Sequence, residues 1–284
     1  MKIIISIILY NSPLDVLAKN LSMLSKQDVL EDAGNSMEIV ICDNNQGAQI
    51  DEVKKLAKKI KIKNIHFINS KNLGFGAGHN QVFAFAEKNL KFDYFLIVNP
   101  DGIPHPRMIS YLTDFAKKNN DKGIFEALQF PVEHPKIYDV KTQETAWCSG
   151  CCALFPRHIF EILKGFDERF FMYMEDVDIS WRARAGGLKC YVVEDALFSH
   201  SISNKDRDFR KQNIAMHKSA YKLAIKYHNQ KFAIKILERL QDLDAKNEIN
   251  LLESEAHKMI IKDFSKYKNI VDFKNKFYFS EARW

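Results

Sequence analysis

The first hundred residues alternate apolar runs with helix-period segments, and that alternation restricts the fold more than any other feature of the chain. Lys2–Leu9 reads K-I-I-I-S-I-I-L, a nearly unbroken apolar run. A strand of this kind needs cover on both faces. Leu14–Ser25 follows with helical spacing. A second strand is expected over Glu38–Cys42, an amphipathic basic helix over Ile50–Ile60 and a third strand over Ile65–Ile68. A helix over Gly78–Leu90, behind a Gly-rich turn, leads to a fourth strand over Tyr94–Val98. Strands joined by helix-length crossovers predict an α/β fold, a mainly parallel sheet flanked by helices. Ligands of such sheets gather beyond the carboxyl ends of the strands. Asn11, Asp43, Asn72 and Asp101 each follow a strand, so they should converge on one edge.

The second half is mixed. Ile124–Phe130 and Gly150–Phe155 read as strands, with a loop around Pro131–Thr145 between them. Pro156–Lys164 reads as a short helix, and Lys189–Val193 and Ala196–Ser199 as strands. Beyond about Asp206 only helical patterns remain. The expected division is a catalytic domain over 1–205 and a C-terminal helical region over 206–284. An apolar fraction of 46% with 27% charged residues is ordinary for a soluble protein. No run approaches the roughly 18 apolar residues of a membrane span. The N-terminus flows straight into the helical pattern after Pro13, so it reads as a core strand rather than a signal peptide. Five cysteines without export signals suit reduced thiols in the cytosol. Cys148, Cys151 and Cys152 lack a second pair at zinc spacing, and C-S-G-C-C-A-L-F reads as a buried strand of small residues.

Chemistry concentrates in F-M-Y-M-E-D-V-D-I-S-W-R-A-R-A-G-G, ending at Gly187. Glu175, Asp176 and Asp178 stand on a short helix behind aromatic residues. Burial and crowding of like charges raise a carboxyl pKa toward the range of a general base. The same residues also suit a helix N-terminus, and Asp178 with Arg182 makes an i,i+4 pair. Upstream, K-N-L-G-F-G-A-G-H-N is a Gly-rich loop whose amides could hold a phosphate or sugar hydroxyl. It fails the dinucleotide pattern, because the third Gly would fall at His79. Asn72, Gly74 and Asn80 of this loop are candidates for ligand contact. Asn99-Pro100-Asp101 ends an apolar strand, and Asp101 suits a hard divalent ion that is also held by phosphate oxygens. His200, ending the last strand, would complete a mixed oxygen/nitrogen site. An acid at a strand end, a carboxylate cluster and a late His point to metal-assisted group transfer.

Taken in order, these elements resemble the inverting GT-A glycosyltransferases of family 2, most closely the bacterial rhamnosyltransferase-like branch. The matching pieces are L-Y-N at Asn11, C-D-N-N at Asp43, N-L-G-F-G-A-G-H-N, V-N-P-D and S-G-C-C-A-L-F. G-F-D-E-R-F-F-M-Y-M-E-D-V-D-I-S-W-R and His200 complete the set, so the resemblance covers roughly residues 1–205. It implies a GT-A fold, with Asp101 and His200 holding Mn²⁺ or Mg²⁺. The first Asp of the family's metal motif is Asn99 here. It implies Asp176 as general base beside Glu175, Asp43 on the nucleobase, Asn11 on the nucleoside and Gly150 near the donor sugar. The expected reaction moves a sugar, rhamnose first, from a nucleoside-diphosphate sugar to a glycan or lipid-linked acceptor of the cell surface. UDP-galactofuranose, UDP-galactose and UDP-GlcNAc are alternative donors. A sugar nucleotidyltransferase or a non-catalytic nucleotide-sugar-binding protein are the other classes weighed.

Charge adds one expectation. From Lys205 onward there are 18 basic and 11 acidic residues, while the whole chain carries +6. The same tail holds Phe232, Phe264, Phe273, Phe277, Tyr278, Phe279 and Trp284. A basic, aromatic surface suits an anionic membrane, so peripheral attachment at the inner face of the plasma membrane is expected, with donor binding surviving loss of the tail. The competing expectation is that the tail packs on the catalytic domain or forms a homodimer interface. No nucleic-acid partner is expected.

Overall fold

The computed structural model describes residues 1–131, 136–200, 208–243 and 249–274. The first half follows the alternation closely: β1 (Lys2–Leu9), α1 (Leu14–Leu24), β2 (Ser36–Asp43), α2 (Ile50–Ile60), β3 (Ile65–Asn69), α3 (Phe75–Asn89) and β4 (Tyr94–Val98). It continues with β5 (Gly102–Pro104), α4 (Met108–Lys118), β6 (Gly123–Phe130), β7 (Glu144–Thr145), β8 (Cys152–Pro156) and α5 (Arg157–Ile162). The acidic helix α6 (Glu175–Ala185) precedes β9 (Lys189–His200), and α7 (Phe209–Lys226), α8 (Gln230–Asp242) and α9 (Ile249–His257) form the tail.

The strands make one sheet in the order β3-β2-β1-β4-β8-β6-β9-β5, with β7 paired to β9. β3, β2, β1 and β4 are parallel. β8 then runs antiparallel to both β4 and β6, and β6 is parallel to β9. The parallel half is therefore joined to a mixed half. The unbroken apolar run of β1 is explained by its neighbours. Ile3, Ile5, Ile7 and Leu9 face one buried cluster with Leu17 and Leu21 of α1 and Val53 of α2. Ile4 faces the other, with Val82 and Phe83 of α3 and Phe160 of α5. A pleated strand buried on both sides needs apolar residues at every position.

Three local expectations shift. α3 begins at Phe75 rather than Gly78, so Gly76 and Gly78 lie inside the helix. The two strands expected over Lys189–Ser199 are one strand, with an irregular register opposite Ala127/Leu128. The Gly102–Pro104 turn also pairs, as β5, with the end of β9.

The larger correction concerns the tail. α6 is buried on two sides. Ile179 and Ala183 face the sheet cluster. Val177 and Trp181 join Trp147, Phe170 and Met174 in a third cluster with Leu223, Ile236, Leu240 and Leu252 of the tail helices. Phe232, Phe264 and Phe273 pack against this cluster instead of forming an aromatic membrane face. Phe277, Tyr278, Phe279 and Trp284 lie outside the described residues. Removing the tail would uncover Trp181 and Phe170, which are buried to 1% and 0% exposure, so a truncated chain should lose its fold along with donor binding. Among the described residues, no helix is long and apolar enough to cross a membrane.

Buried charges reinforce this packing. The Lys226 Nζ of α7 lies 2.7 Å from Asp167 Oδ2 and also pairs with Asp178. Asp178, fully buried, accepts from Arg182 Nε at 2.8 Å and from the Tyr227 hydroxyl at 2.9 Å. Burial works against the Asp167 carboxylate, but Arg169 and Lys226 overcome it and hold its pKa well below the usual range. A carboxylate depressed in this way stabilises the fold above its unfolded pKa of about 3.9, and that stability is lost as pH falls through the folded value. Lys226→Met should therefore cost about 3 kcal/mol at neutral pH, the low end for a broken buried pair because Arg182 and Arg169 remain. The difference from wild type should shrink in acid. Urea unfolding at two pH values measures both.

Candidate active site

Because β1 to β4 are parallel neighbours, their carboxyl ends open on one edge, and the expected residues assemble there. Asn11, in the left-handed region at φ 51°, accepts from the Asn45 side-chain amide at 2.8 Å and so links the ends of β1 and β2. Asp43 is wholly buried. Its oxygens accept from the backbone N–H of Asn45 at 2.8 Å and of Gln49 at 2.7 Å. It thus orders the turn into α2. Asn72 is exposed and accepts from Gly74 N–H at 3.3 Å.

The turn after β4 is held from below. Asn20 of α1 is buried, and its amide donates to the carbonyls of Asn99 at 3.1 Å and Gly102 at 2.6 Å. Asn99 N–H donates to Cys151 O at 2.8 Å, tying this turn to the Gly150-Cys151 turn. Gly102 pairs with His200 across β5 and β9. A Cβ at Gly102 would sit 2.1 Å from the Phe198 ring, so only glycine fits. His200 Nε2 lies 3.2 Å from Asp101 Oδ1. Burial disfavours the protonated His200 ring, but Cys151 and the Asp101 carboxylate outweigh it and hold the pKa up, at about 10.

Once a metal displaces the ring proton, an oxygen and an imidazole nitrogen side by side, with Asp101 partly exposed at 27%, form a donor set that suits Mn²⁺ or Mg²⁺. Among the described residues no three such side chains cluster closely enough to hold an ion by themselves. Two protein donors are the number expected where substrate phosphates complete the shell.

The Gly-rich loop also packs against the chain that leads into α6. Gly74 has φ 101°, and a Cβ there would lie 2.1 Å from Phe171 O. That carbonyl accepts from Phe75 N–H at 2.9 Å, so a backbone group caps the start of α3. A Cβ on Gly76 would meet Phe166 at 2.8 Å and Glu175 at 3.5 Å. Asn80 also turns to this neighbour. Its amide donates to Phe166 O and to Glu168, both at 3.0 Å, and its oxygen accepts from Phe166 N–H at 2.9 Å. The glycines and Asn80 dock the loop that carries α6.

The three acids of α6 separate by environment. Asp178 is consumed by Arg182, Lys226 and Tyr227. Glu175 is buried, one oxygen has no partner, and burial followed by the nearby Asp176 charge pushes its pKa well up. Burial also raises Asp176, but the backbone N–H groups of Gly150 and Val177 and the Lys136 ammonium oppose it. Those amides donate to Asp176 at 3.1 Å and 2.8 Å. Both carboxyls of this adjacent pair are raised by burial, and Asp176 is the one whose ionised form the amides and the ammonium favour. A Cβ on Gly150 would collide with Phe75 at 2.9 Å, so glycine lets α3 close against this turn beside Asp176.

Sequence reading missed the support behind Asp176. Lys136 and Glu126 are a buried ion pair. Glu126 accepts from Ser149 N–H at 2.8 Å, and Lys136 donates to Trp147 O at 3.1 Å. Together they hold the Ser149-Gly150 turn. A lone Glu in the apolar run of β6 was the available signal.

A sheet of this order, with the Asp101–His200 pair where β5 meets the end of β9, defines a GT-A fold. It matches a mannosyltransferase, PcManGT from Pyrobaculum calidifontis in complex with GDP-Man and Mn²⁺, at TM-score 0.62 and 14% identity, over 94% of this chain and 83% of that one. It also matches TarS residues 1–349 of S. aureus in complex with UDP, at TM-score 0.53 and 15% identity, over 88% and 75%.

Residues 4–126 match the model of glycosyl transferase family 2. Over 76 residues the chain is 45% identical to an N-acetylglucosaminyl-diphospho-decaprenol L-rhamnosyltransferase of Mycobacterium tuberculosis, which is 26% of this chain and 25% of that protein. It is 26% identical over 172 residues to the rhamnosyltransferase WbbL of Escherichia coli K12, covering 48% of this chain and 64% of WbbL. The chain thus spans about a quarter of the first of these curated relatives and under two thirds of the second.

The Gly74 contact is testable. Gly74→Ala combines a left-handed backbone with a collision against Phe171 O. It should cost about 1–3 kcal/mol, read from the urea midpoint, the range for a strained backbone position.

Proposed function

We propose that the protein is a metal-dependent inverting glycosyltransferase. It moves a sugar from a nucleoside-diphosphate sugar to a hydroxyl of a glycan or lipid-linked acceptor in cell-surface polysaccharide synthesis. The observation that carries this reading is Asp176 held by the Gly150 and Val177 amides at 3.1 Å and 2.8 Å, with the Asp101–His200 pair on the turn tied to Cys151. Asn11 and the turn ordered by Asp43 receive the nucleoside, with Asn72 at their margin. Asp101 and His200 hold the divalent ion beside the diphosphate, with Asn99 shaping the turn. When bound, the ion supplies positive charge that stabilises the leaving diphosphate. Asp176 takes the proton of the acceptor hydroxyl. The freed oxygen attacks the anomeric carbon opposite the leaving group, and one displacement inverts that centre through an oxocarbenium-like transition state.

Rhamnose from a dTDP donor is the first choice of sugar, since two relatives carry rhamnosyltransferase names. UDP-galactofuranose, UDP-galactose and UDP-GlcNAc are the alternatives. Hydrolysis of a donor panel, with Mn²⁺ and with EDTA, tests the reading. No Mn²⁺-dependent cleavage of any donor would defeat it in favour of a binding protein.

Asp176→Asn should leave fold and donor affinity near wild type and lower turnover by ~10²–10⁴, the span of a lost general base. In wild type, turnover should fall as pH drops through an apparent pKa above the ordinary carboxylate range, since the base must be ionised. Unchanged turnover in the variant would remove Asp176 from the mechanism. Asp101→Ala and His200→Ala should both weaken Mn²⁺-dependent donor binding in calorimetry and leave any binding in EDTA unaltered. Full Mn²⁺ dependence in His200→Ala would make His200 a structural residue.

A further inference from the structure

A cleft of about 420 Å³ lies between the Phe171–Met172 loop, α7 and α9. Lys211, Lys218 and Lys222 line it from one stripe of α7, and Glu255 is the one acidic side chain lining it among the described residues. Lys222 Nζ is 2.7 Å from Glu255, and Lys211 pairs at 3.3 Å with Asp208. With Asp208 and Glu255 each answering one lysine, three cations face two acids and the cleft keeps a net positive charge. Burial, then the charge of Lys222, lowers the pKa of Lys218, so its ammonium is partly desolvated beside a like charge. The rim is apolar and open, with Phe171, Met172 and Leu251 at 45%, 38% and 66% exposure.

This cleft adjoins the reacting end of the molecule. Ser219 of α7 donates to Met172 O at 2.6 Å. Met172 precedes Asp176 by four residues, so at most about 14 Å of chain separates them. A group held at the lysines would therefore lie against the same loop that leads into Asp176.

We propose that this cleft binds the phosphate or diphosphate of a lipid-linked saccharide acceptor, with the first part of the lipid against the apolar rim. The inference rests on the transferase reading above and deepens it. Flexible ammonium groups suit phosphate oxygens, which accept strong charge-assisted hydrogen bonds. The rim of Phe171, Met172 and Leu251 distinguishes a lipid-borne phosphate from a free one, because it offers apolar surface that only a lipid would cover.

The test is calorimetric titration of farnesyl diphosphate into the full chain in EDTA, where no ion at Asp101 and His200 can hold a diphosphate. Saturable binding is expected, weakened about ten-fold or more in Lys218→Ala, as for a lost hydrogen bond between charged groups. Lys211→Ala/Lys218→Ala should weaken it further. Lys235→Ala, exposed on α8, should bind as wild type. Inorganic pyrophosphate should bind more weakly and compete. Three results would overturn the proposal: no binding of farnesyl diphosphate, equal binding by wild type and both variants, or pyrophosphate binding as tight as the lipid form. Phosphatidylglycerol vesicles pelleting wild type but not the variants, without farnesyl diphosphate binding, would replace it with a membrane-docking surface. The readout needs no turnover, so its failure is separate from failure of the transferase reading, which donor hydrolysis tests.

Discussion

A single buried carboxylate holds the active region together. Asp178 sits on the acidic helix with no solvent exposure and is answered by Arg182, Lys226 and Tyr227. An uncompensated charge at that depth would be costly, so the helix stays in place only while the tail supplies its lysine and tyrosine. Arg182 extends the constraint by donating to Gly165 O at 2.8 Å and also to Leu163 O. The chain entering the acidic helix is thereby fixed from both sides. Asp176, two residues earlier, inherits its position against Gly150 from this anchor. The C-terminal helices are thus part of the construction of the site as well as a neighbour to it.

The sheet was legible because burial on both faces writes itself as unbroken apolar runs. β1, β2 and β4 fall within a few residues of expectation, and the polar residues that end them mark the functional edge. The nearness of Asp101 and His200 was legible for the same reason, each standing at a strand end. The start of α3 was not, because Phe75 to Gly78 has poor helix propensity and tertiary contact overrides it: glycine is needed where Phe171 and Phe166 approach. β5 was not, because three residues in a Pro-containing turn carry no period. The role of the tail was hidden because Lys226 and Asp167 look like surface residues when their partners are 59 positions apart. The Glu126–Lys136 pair was hidden likewise, since only the fold brings β6 and Lys136 under the Gly150 turn.

Division of labour among like residues is the chemical lesson. Three acids within four positions have three environments: Asp178 is met by cations, Glu175 is buried with one oxygen unpartnered, and Asp176 is held by two amides near a lysine. Of the aromatic tail residues that suggested a membrane face, the described ones, Phe232, Phe264 and Phe273, pack against a core instead.

The central claim is that the tail-anchored helix sets Asp176 over the same edge where Asp101 and His200 hold a divalent ion beside the donor diphosphate. Paramagnetic broadening of backbone amide signals by Mn²⁺, added with UDP or dTDP, tests it most directly. Signals of Asp101, Gly102, Gly150, Cys151 and His200 should broaden first, and those of Glu175 to Val177 next, while α8 stays sharp. If the Asp101–Gly102 and His200 signals stay sharp while another region broadens, the ion lies elsewhere and the account of the site is wrong.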